Sequence, residues 1–141
     1  MSETVQHPTV ATEGSACFDI RAWIPNEQTI TLGAGNWELI PTGLIFDIPE
    51  KHSIRLHPRS GLALKHGITL MNAEGVVDSD YFHEIKVILV NHGKDLFTVE
   101  HGMRICQAEL VRNLNPDLVE THVQPTQKTD RIGGFGSTGI E

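Results

Sequence analysis

The chain has 141 residues, 39% hydrophobic and 21% charged, which fits one globular domain and excludes collagen-like, disordered and coiled-coil classes. Its 11 Lys and Arg against 18 Asp and Glu give a net charge of −7, so nonspecific binding to nucleic acid or to an anionic membrane is not expected. No apolar run nears the roughly 18 residues of a membrane span, and the Met1-Ser2-Glu3-Thr4 start lacks the basic and apolar regions of a signal peptide; a soluble, intracellular, cytoplasmic protein is expected.

Gly, Pro and Asn recur at short intervals, and the β-branched segments between them read as an all-β sandwich or barrel. In chain order, strands are predicted at Thr29–Leu32, Trp37–Ile40, Gly43–Ile48 and Ser53–His57. A helix of about two turns follows, Gly61 to His66, capped by Ser60 and stopped by Gly67. Further strands are predicted at Ile68–Asn72, Glu84–Val90, Phe97–Val99 and Arg104–Leu110. Within Glu84–Val90, Ile85, Val87 and Leu89 share one face and Ile88 joins Glu84 and Lys86 on the other, so this strand is placed in the core. From Asn113 the character changes, with two prolines and four glycines between Gly133 and Gly139. The expected organisation is a single domain: a body over 1–118 and a mobile arm over 119–141. The roughly thirteen residues from Leu118 to Arg131 span up to about 43–47 Å when extended, enough to reach a neighbouring subunit.

Four segments carry candidate chemistry. Pro58-Arg59-Ser60-Gly61-Leu62-Ala63 sets an Arg, a hydroxyl and a glycine at the predicted helix start, which suits phosphate; taken alone, the segment reads more simply as a capped helix with a solvent-facing Arg. Asn72 to Tyr81 contains a glycine turn, then Asp78, Asp80 and Tyr81. A hairpin there exposes backbone N–H and C=O groups to a planar heterocycle, and two carboxylates facing one way on an extended chain suit proton abstraction. Gly102-Met103-Arg104-Ile105-Cys106-Gln107 is a turn into an alternating strand and says little alone. Arg131-Ile132-Gly133-Gly134-Phe135-Gly136-Ser137-Thr138-Gly139 joins close backbone approach, hydroxyl donors, a charge and a stacking face. Cys17 and Cys106 have no metal or redox spacing and read as reduced packing residues. The 8 histidines are scattered, so they read as surface or turn residues and no protein-built zinc site is expected.

Taken in order, these segments and Ser15-Ala16-Cys17-Phe18-Asp19-Ile20 resemble the five motifs of the trimeric dUTP pyrophosphatases (dUTPases), over Ser15 to Gly139. The resemblance implies a distorted jelly-roll-like β-barrel of the β-clip kind with one short helix and a C-terminal arm. It also implies a homotrimer whose sites are each shared by three chains. The implied reaction is hydrolysis of dUTP to dUMP and pyrophosphate by water attacking the α-phosphorus, with Mg²⁺ on the triphosphate. That reaction limits uracil incorporation into DNA and supplies dUMP for dTMP synthesis.

Carried over, Asp78 is the implied general base and Tyr81 packs on the deoxyribose. Asn72 and the hairpin backbone from Gly75 through Val77 read uracil. Arg59, Ser60 and Gln107, with Gly61 beside them, hold phosphates, and Asp19 reaches Mg²⁺ through coordinated water. Arg131, Phe135, Gly136, Ser137 and Thr138 close over the bound nucleotide. This chain departs from the family pattern at His83 and at Ile132, which stands alone between Arg131 and Gly133. Only 14 residues precede Ser15, and Cys17 and Cys106 replace small residues. Two alternatives remain at this point: a dCTP deaminase of the same fold, marked by ammonia release, and a regulatory protein that binds nucleotide as a switch without hydrolysing it.

Overall fold

The β-branched, alternating segments form strands, and the glycines, prolines and asparagines between them turn the chain. The computed structural model describes residues 5–26 and 28–130. Its strands are β1 (Phe18–Arg21), β2 (Thr29–Leu32), β3 (Trp37–Leu44) and β4 (His52–His57), followed by the helix α1 (Ser60–His66). Then come β5 (Ile68–Leu70), β6 (Gly75–Asp78), β7 (Ile85–Asn91), β8 (Phe97–Glu100) and β9 (Arg104–Arg112). They form antiparallel sheets in the orders β1-β9-β4-β6, β3-β7-β5 and β2-β8, none of them closed. The architecture is the expected jelly-roll-like β fold, as open sheets around one core.

Strand alternation decides what lines that core. Ile20, Leu32, Ile40, Leu89 and Val99 are fully buried, each from a different strand. Burying side chains of this size stabilises by about 1.5–3 kcal/mol each. In β7, Ile85, Val87 and Leu89 are buried and Lys86 is exposed, as the sequence pattern predicts. Buried Asn91 is fully used: its Nδ2 donates to the Leu32 and Asp95 carbonyls at 3.0 and 2.8 Å, and its Oδ1 accepts from Gly93 N at 2.8 Å. No helix among the described residues is long and apolar enough to cross a membrane.

Several elements differ from expectation. Trp37–Ile40 and the start of Gly43–Ile48 are one strand, β3, whose register shifts between Pro41 and Leu44. Gly43 takes φ 67° there, the left-handed region that glycine enters without strain. The kink is held by Glu84 Oε1, which accepts from Thr42 N at 3.2 Å and Gly43 N at 2.9 Å. Ser60 is the first helical residue rather than the cap; Arg59 holds that position with extended backbone and no side-chain capping bond. Gly67 ends the helix as predicted, at φ 69°, with its N–H directed to the carbonyls of Ala63 and Leu62.

Residues 75–78 are not one arm of a hairpin with the preceding strand. β5 pairs with β7, whereas β6 crosses to the other sheet and pairs with β4. β1 has no counterpart among the predicted strands; it is short and takes its partner, β9, from the far end of the body. Past β9, residues 113–130 contain neither strand nor helix.

Candidate active site

The crossing of β6 onto β4 builds the first half of the site. Gly75 lies opposite Leu56, and Val77 opposite Ile54. A Cβ on Gly75 would stand 3.2 Å from Leu56 Cβ, a tight approach, and 3.6 Å from Asn72 Nδ2, an ordinary contact, so glycine lets β6 lie close against β4. β6 ends at Asp78, and the chain turns, with Tyr81 N–H donating to the Asp78 carbonyl at 3.1 Å. The Tyr81 hydroxyl donates to the Glu84 carbonyl at 3.0 Å, tying the turn to the start of β7. Asn72, Gly75, Val77, Asp78 and Tyr81 thereby line one cavity of about 330 Å³.

That cavity gathers these five residues and Asp80, all picked out from the sequence, together with Phe82, His83 and Lys86, which have no expected site role. The His83 ring lies 4.2 Å from Phe82 and meets the Tyr81 ring edge-on at 5.9 Å. Asp78 and Asp80 both line the cavity, but Asp80 is in the turn rather than in the strand. The two-residue alternation expected of an extended chain therefore does not govern them.

The second half is electrostatic. Asp19 on β1 accepts from Arg59 Nε at 3.2 Å on one carboxylate oxygen and from Arg104 Nη1 at 3.1 Å on the other. Arg59 also donates to the Arg104 carbonyl at 3.3 Å. The Arg59 side chain is 24% exposed and that of Asp19 18%, so this Arg is not the solvent-facing residue of the plainer sequence reading. Gln107 on β9 sits between the neighbouring strands, paired with Asp19 on one side and His57 on the other. Asp19 and Gln107 line a second cavity of about 290 Å³ with Ser15 and Cys17. Ser60 and Gly61, both exposed, follow Arg59 at the start of α1.

Charge and burial also mark the two cysteines. Burial pushes the Cys106 thiol up from 9.0 to about 12, with Asp19 adding to the rise and Arg59 opposing it. Cys106 is thus the packing residue the sequence suggested. Cys17 is only half-buried, and its pKa is raised first by burial and then by Glu109.

The two halves share no lining residue within the described chain. Arg131, Phe135, Gly136, Ser137 and Thr138 lie outside the described residues. Arg104 was not singled out as a site residue; nothing local in its turn-and-strand segment signals a partner 85 positions earlier.

The dUTPase family model matches residues 3–139. This chain belongs to the dUTPase family. It is 45% identical to the deoxyuridine 5'-triphosphate nucleotidohydrolase of Brucella melitensis, over 94% of this chain and 83% of that one. It is 48% identical to the protein of the same name from Bartonella bacilliformis, over 94% and 81% of the two chains. The fold is that of the dUTPase of Staphylococcus bacteriophage 80alpha solved with dUPNHPP, at TM-score 0.84 and 21% identity over 96% of this chain and 93% of that one. A dUTPase mutant of S. aureus phage phi11, described with a coordinated structural Mg(II) ion, superposes at TM-score 0.76 and 18% identity over 86% and 93% of the two chains. Within this dUTPase-family chain, the cavity group and the Asp19–Arg59 group are the two places where the first four motifs gather.

Proposed function

We propose that this chain hydrolyses dUTP to dUMP and pyrophosphate, with Asp78 as the base for the attacking water. The observation that carries the reading is the cavity of about 330 Å³ in which Asn72, Gly75, Val77, Asp78 and Tyr81 converge in a chain of this family. Its volume suits a nucleoside. The Asn72 amide and the backbone of β6 offer donors and acceptors to the edge of uracil, and the Tyr81 ring offers a face to the deoxyribose. A site that pairs every polar edge of uracil rejects cytosine, whose amino group leaves unmatched hydrogen bonds. Asp78, exposed at the end of β6, can reach a water and take its proton.

Arg59 is the phosphate anchor in this reading, with Ser60, Gly61 and Gln107 beside it. Asp19 holds its guanidinium in place through the 3.2 Å bond to Nε, which leaves Nη2 and the second N–H of Nη1 for phosphate oxygens. Mg²⁺ prefers oxygen ligands and keeps several waters. Each Asp19 oxygen accepts one guanidinium bond, and a carboxylate has about four lone-pair sites. The residues therefore fit a hydrated ion resting on the triphosphate and touched by Asp19 through water. When bound, the ion neutralises phosphate charge and makes the α-phosphorus a better electrophile.

The assembly we propose is a homotrimer with shared sites. Phe82 at 73% exposure, Trp37 at 57% and Leu39 at 53% are apolar surface that a subunit contact would cover. The two halves of the site lie in separate cavities of one chain and meet across subunits in this arrangement. Residues 119–141 are read as an arm from the body over 1–118, bringing Arg131, Phe135, Gly136, Ser137 and Thr138 over a neighbour's nucleotide.

The test is a panel of dUTP, dCTP, dTTP and UTP with and without Mg²⁺, following pyrophosphate and ammonia, with mass determined by light scattering. Pyrophosphate from dUTP alone is expected. Ammonia from dCTP, or binding without turnover, would replace this reading. A chain ending at Asp130 is expected to assemble normally and lose most activity; an unchanged rate would remove the arm from the site.

A further inference from the structure

Beside the phosphate half of the site, three residues with no role above converge on one face of the four-stranded sheet. Cys17 precedes β1, Glu109 lies on β9 and His57 closes β4, and the Sγ, ring nitrogen and carboxylate oxygen all fall within 4.8 Å of one another. His57 Nε2 stands 3.1 Å from Glu109 Oε2. The other imidazole nitrogen, Nδ1, faces Glu74 Oε2 at 3.8 Å, and Arg55 Nη1 holds the second oxygen of Glu74 at 3.4 Å.

We propose that Cys17, His57 and Glu109 bind a borderline transition-metal dication of the Zn²⁺ class, in a site separate from any Mg²⁺ on the nucleotide. This inference does not depend on the proposed reaction. Thiolate, imidazole and carboxylate together are a donor set for Zn²⁺ and its neighbours, whereas Mg²⁺ takes oxygen. Bonds of about 2.0–2.3 Å arranged tetrahedrally put ligand atoms about 3.3–3.8 Å apart. The separations present, 3.1 Å for one pair and within 4.8 Å for all three, reach that range by small side-chain rotations.

The surroundings match the chemistry. A metal-bound imidazole characteristically directs its second nitrogen to a carboxylate that fixes the ring, and Glu74 Oε2 is the carboxylate on that side of His57, 3.8 Å from Nδ1 and within reach of that bond by a small side-chain movement. All three ligands are half-buried. One imidazole faces two carboxylates and a thiol, with Arg55 beside the outer carboxylate, so a dication compensates the excess of acidic groups. Three protein ligands leave a fourth position for water. Bound there, the metal joins β1, β9 and β4 two residues from Asp19.

Co²⁺ is the probe, added to the full-length protein after chelator treatment. One Co²⁺ per chain is expected, with a thiolate-to-cobalt charge-transfer band and intense tetrahedral visible bands, both displaced by Zn²⁺ and not by Mg²⁺. Cys17→Ser should abolish the charge-transfer band, and Cys106→Ala should retain it. Glu74→Gln should retain the band and weaken Co²⁺ binding by about 10–100-fold. The proposal is overturned by absence of the band at saturating Co²⁺ in the wild-type chain, by its persistence in Cys17→Ser, or by displacement with Mg²⁺. Circular dichroism of Cys17→Ser, matched to the wild type, establishes that a lost band reports a lost ligand.

Discussion

Arg59 Nε donates to Asp19 Oδ1 at 3.2 Å, joining the segment before α1 to β1 across 40 residues of sequence. The bond fixes the plane of the guanidinium, and a planar fork grips phosphate in two places where an ammonium acts as a single point. Arg59→Lys is therefore expected to lower kcat/KM for dUTP by about 10–100-fold, the worth of one lost charge-assisted hydrogen bond of about 1.5–3 kcal/mol. Steady-state pyrophosphate release measures it, and an unchanged kcat/KM would show that Arg59 serves the fold alone.

Asp78 ends β6 and lines the cavity proposed for the nucleoside. Replacement by Asn keeps the shape and removes the base. Affinity for a non-hydrolysable dUTP analogue should stay within a few-fold while kcat falls by about 10²–10⁴-fold. Calorimetry for binding and initial rates for turnover separate the two, and a near-wild-type kcat would exclude Asp78 as the base.

Gly75 is packed where a methyl group meets Leu56 Cβ at 3.2 Å. Gly75→Ala must push β6 and Leu56 on β4 apart by a few tenths of an ångström, an overpacking cost of about 1–3 kcal/mol. A melting temperature lower by several degrees and a raised KM for dUTP are expected together. An unaltered melting curve would mean that the β4–β6 contact relaxes freely.

Cys106 keeps its proton to about pH 12 in the fold, against 9.0 for an unperturbed thiol. Between those values the unfolded chain releases a proton that the native chain retains, so stability falls as pH rises across that window. Denaturant titrations between pH 8 and about 10.5 should show this decline, flattened in Cys106→Ala. Under native conditions a thiol reagent should modify Cys17 first and reach Cys106 only on unfolding; equal rates for both would contradict the burial of Cys106.

Local patterning made much of this legible. The alternation in Glu84–Val90 identified a buried strand, and the glycine at position 67 marked the helix end through its left-handed backbone, φ 69°. The Asn72 to Tyr81 run announced its cavity residues because they are neighbours in the chain. Other expectations failed for reasons of range. Ser60 lost the capping position because Arg59, two residues past β4, is still extended while Ser60 is already helical. The hairpin expectation failed because β6 finds its partner in β4 rather than β5, and sequence adjacency does not decide pairing. The histidine and cysteine spacings revealed no cluster, yet His57 and Glu109, 52 positions apart, are in hydrogen-bond contact.

The sequence by itself determined the all-β class, the buried strands and the residue types of the family motifs, because each depends on side-chain periodicity or on a short run of neighbours. Only the tertiary structure decided that Asp19 is shared by Arg59 and Arg104, that Gly75 packs closely against Leu56, and that Cys17, His57 and Glu109 meet. Those relationships follow from the register of β1, β9, β4 and β6. Register is set by burying one whole face of the sheet at once, a collective choice that no local stretch of sequence contains.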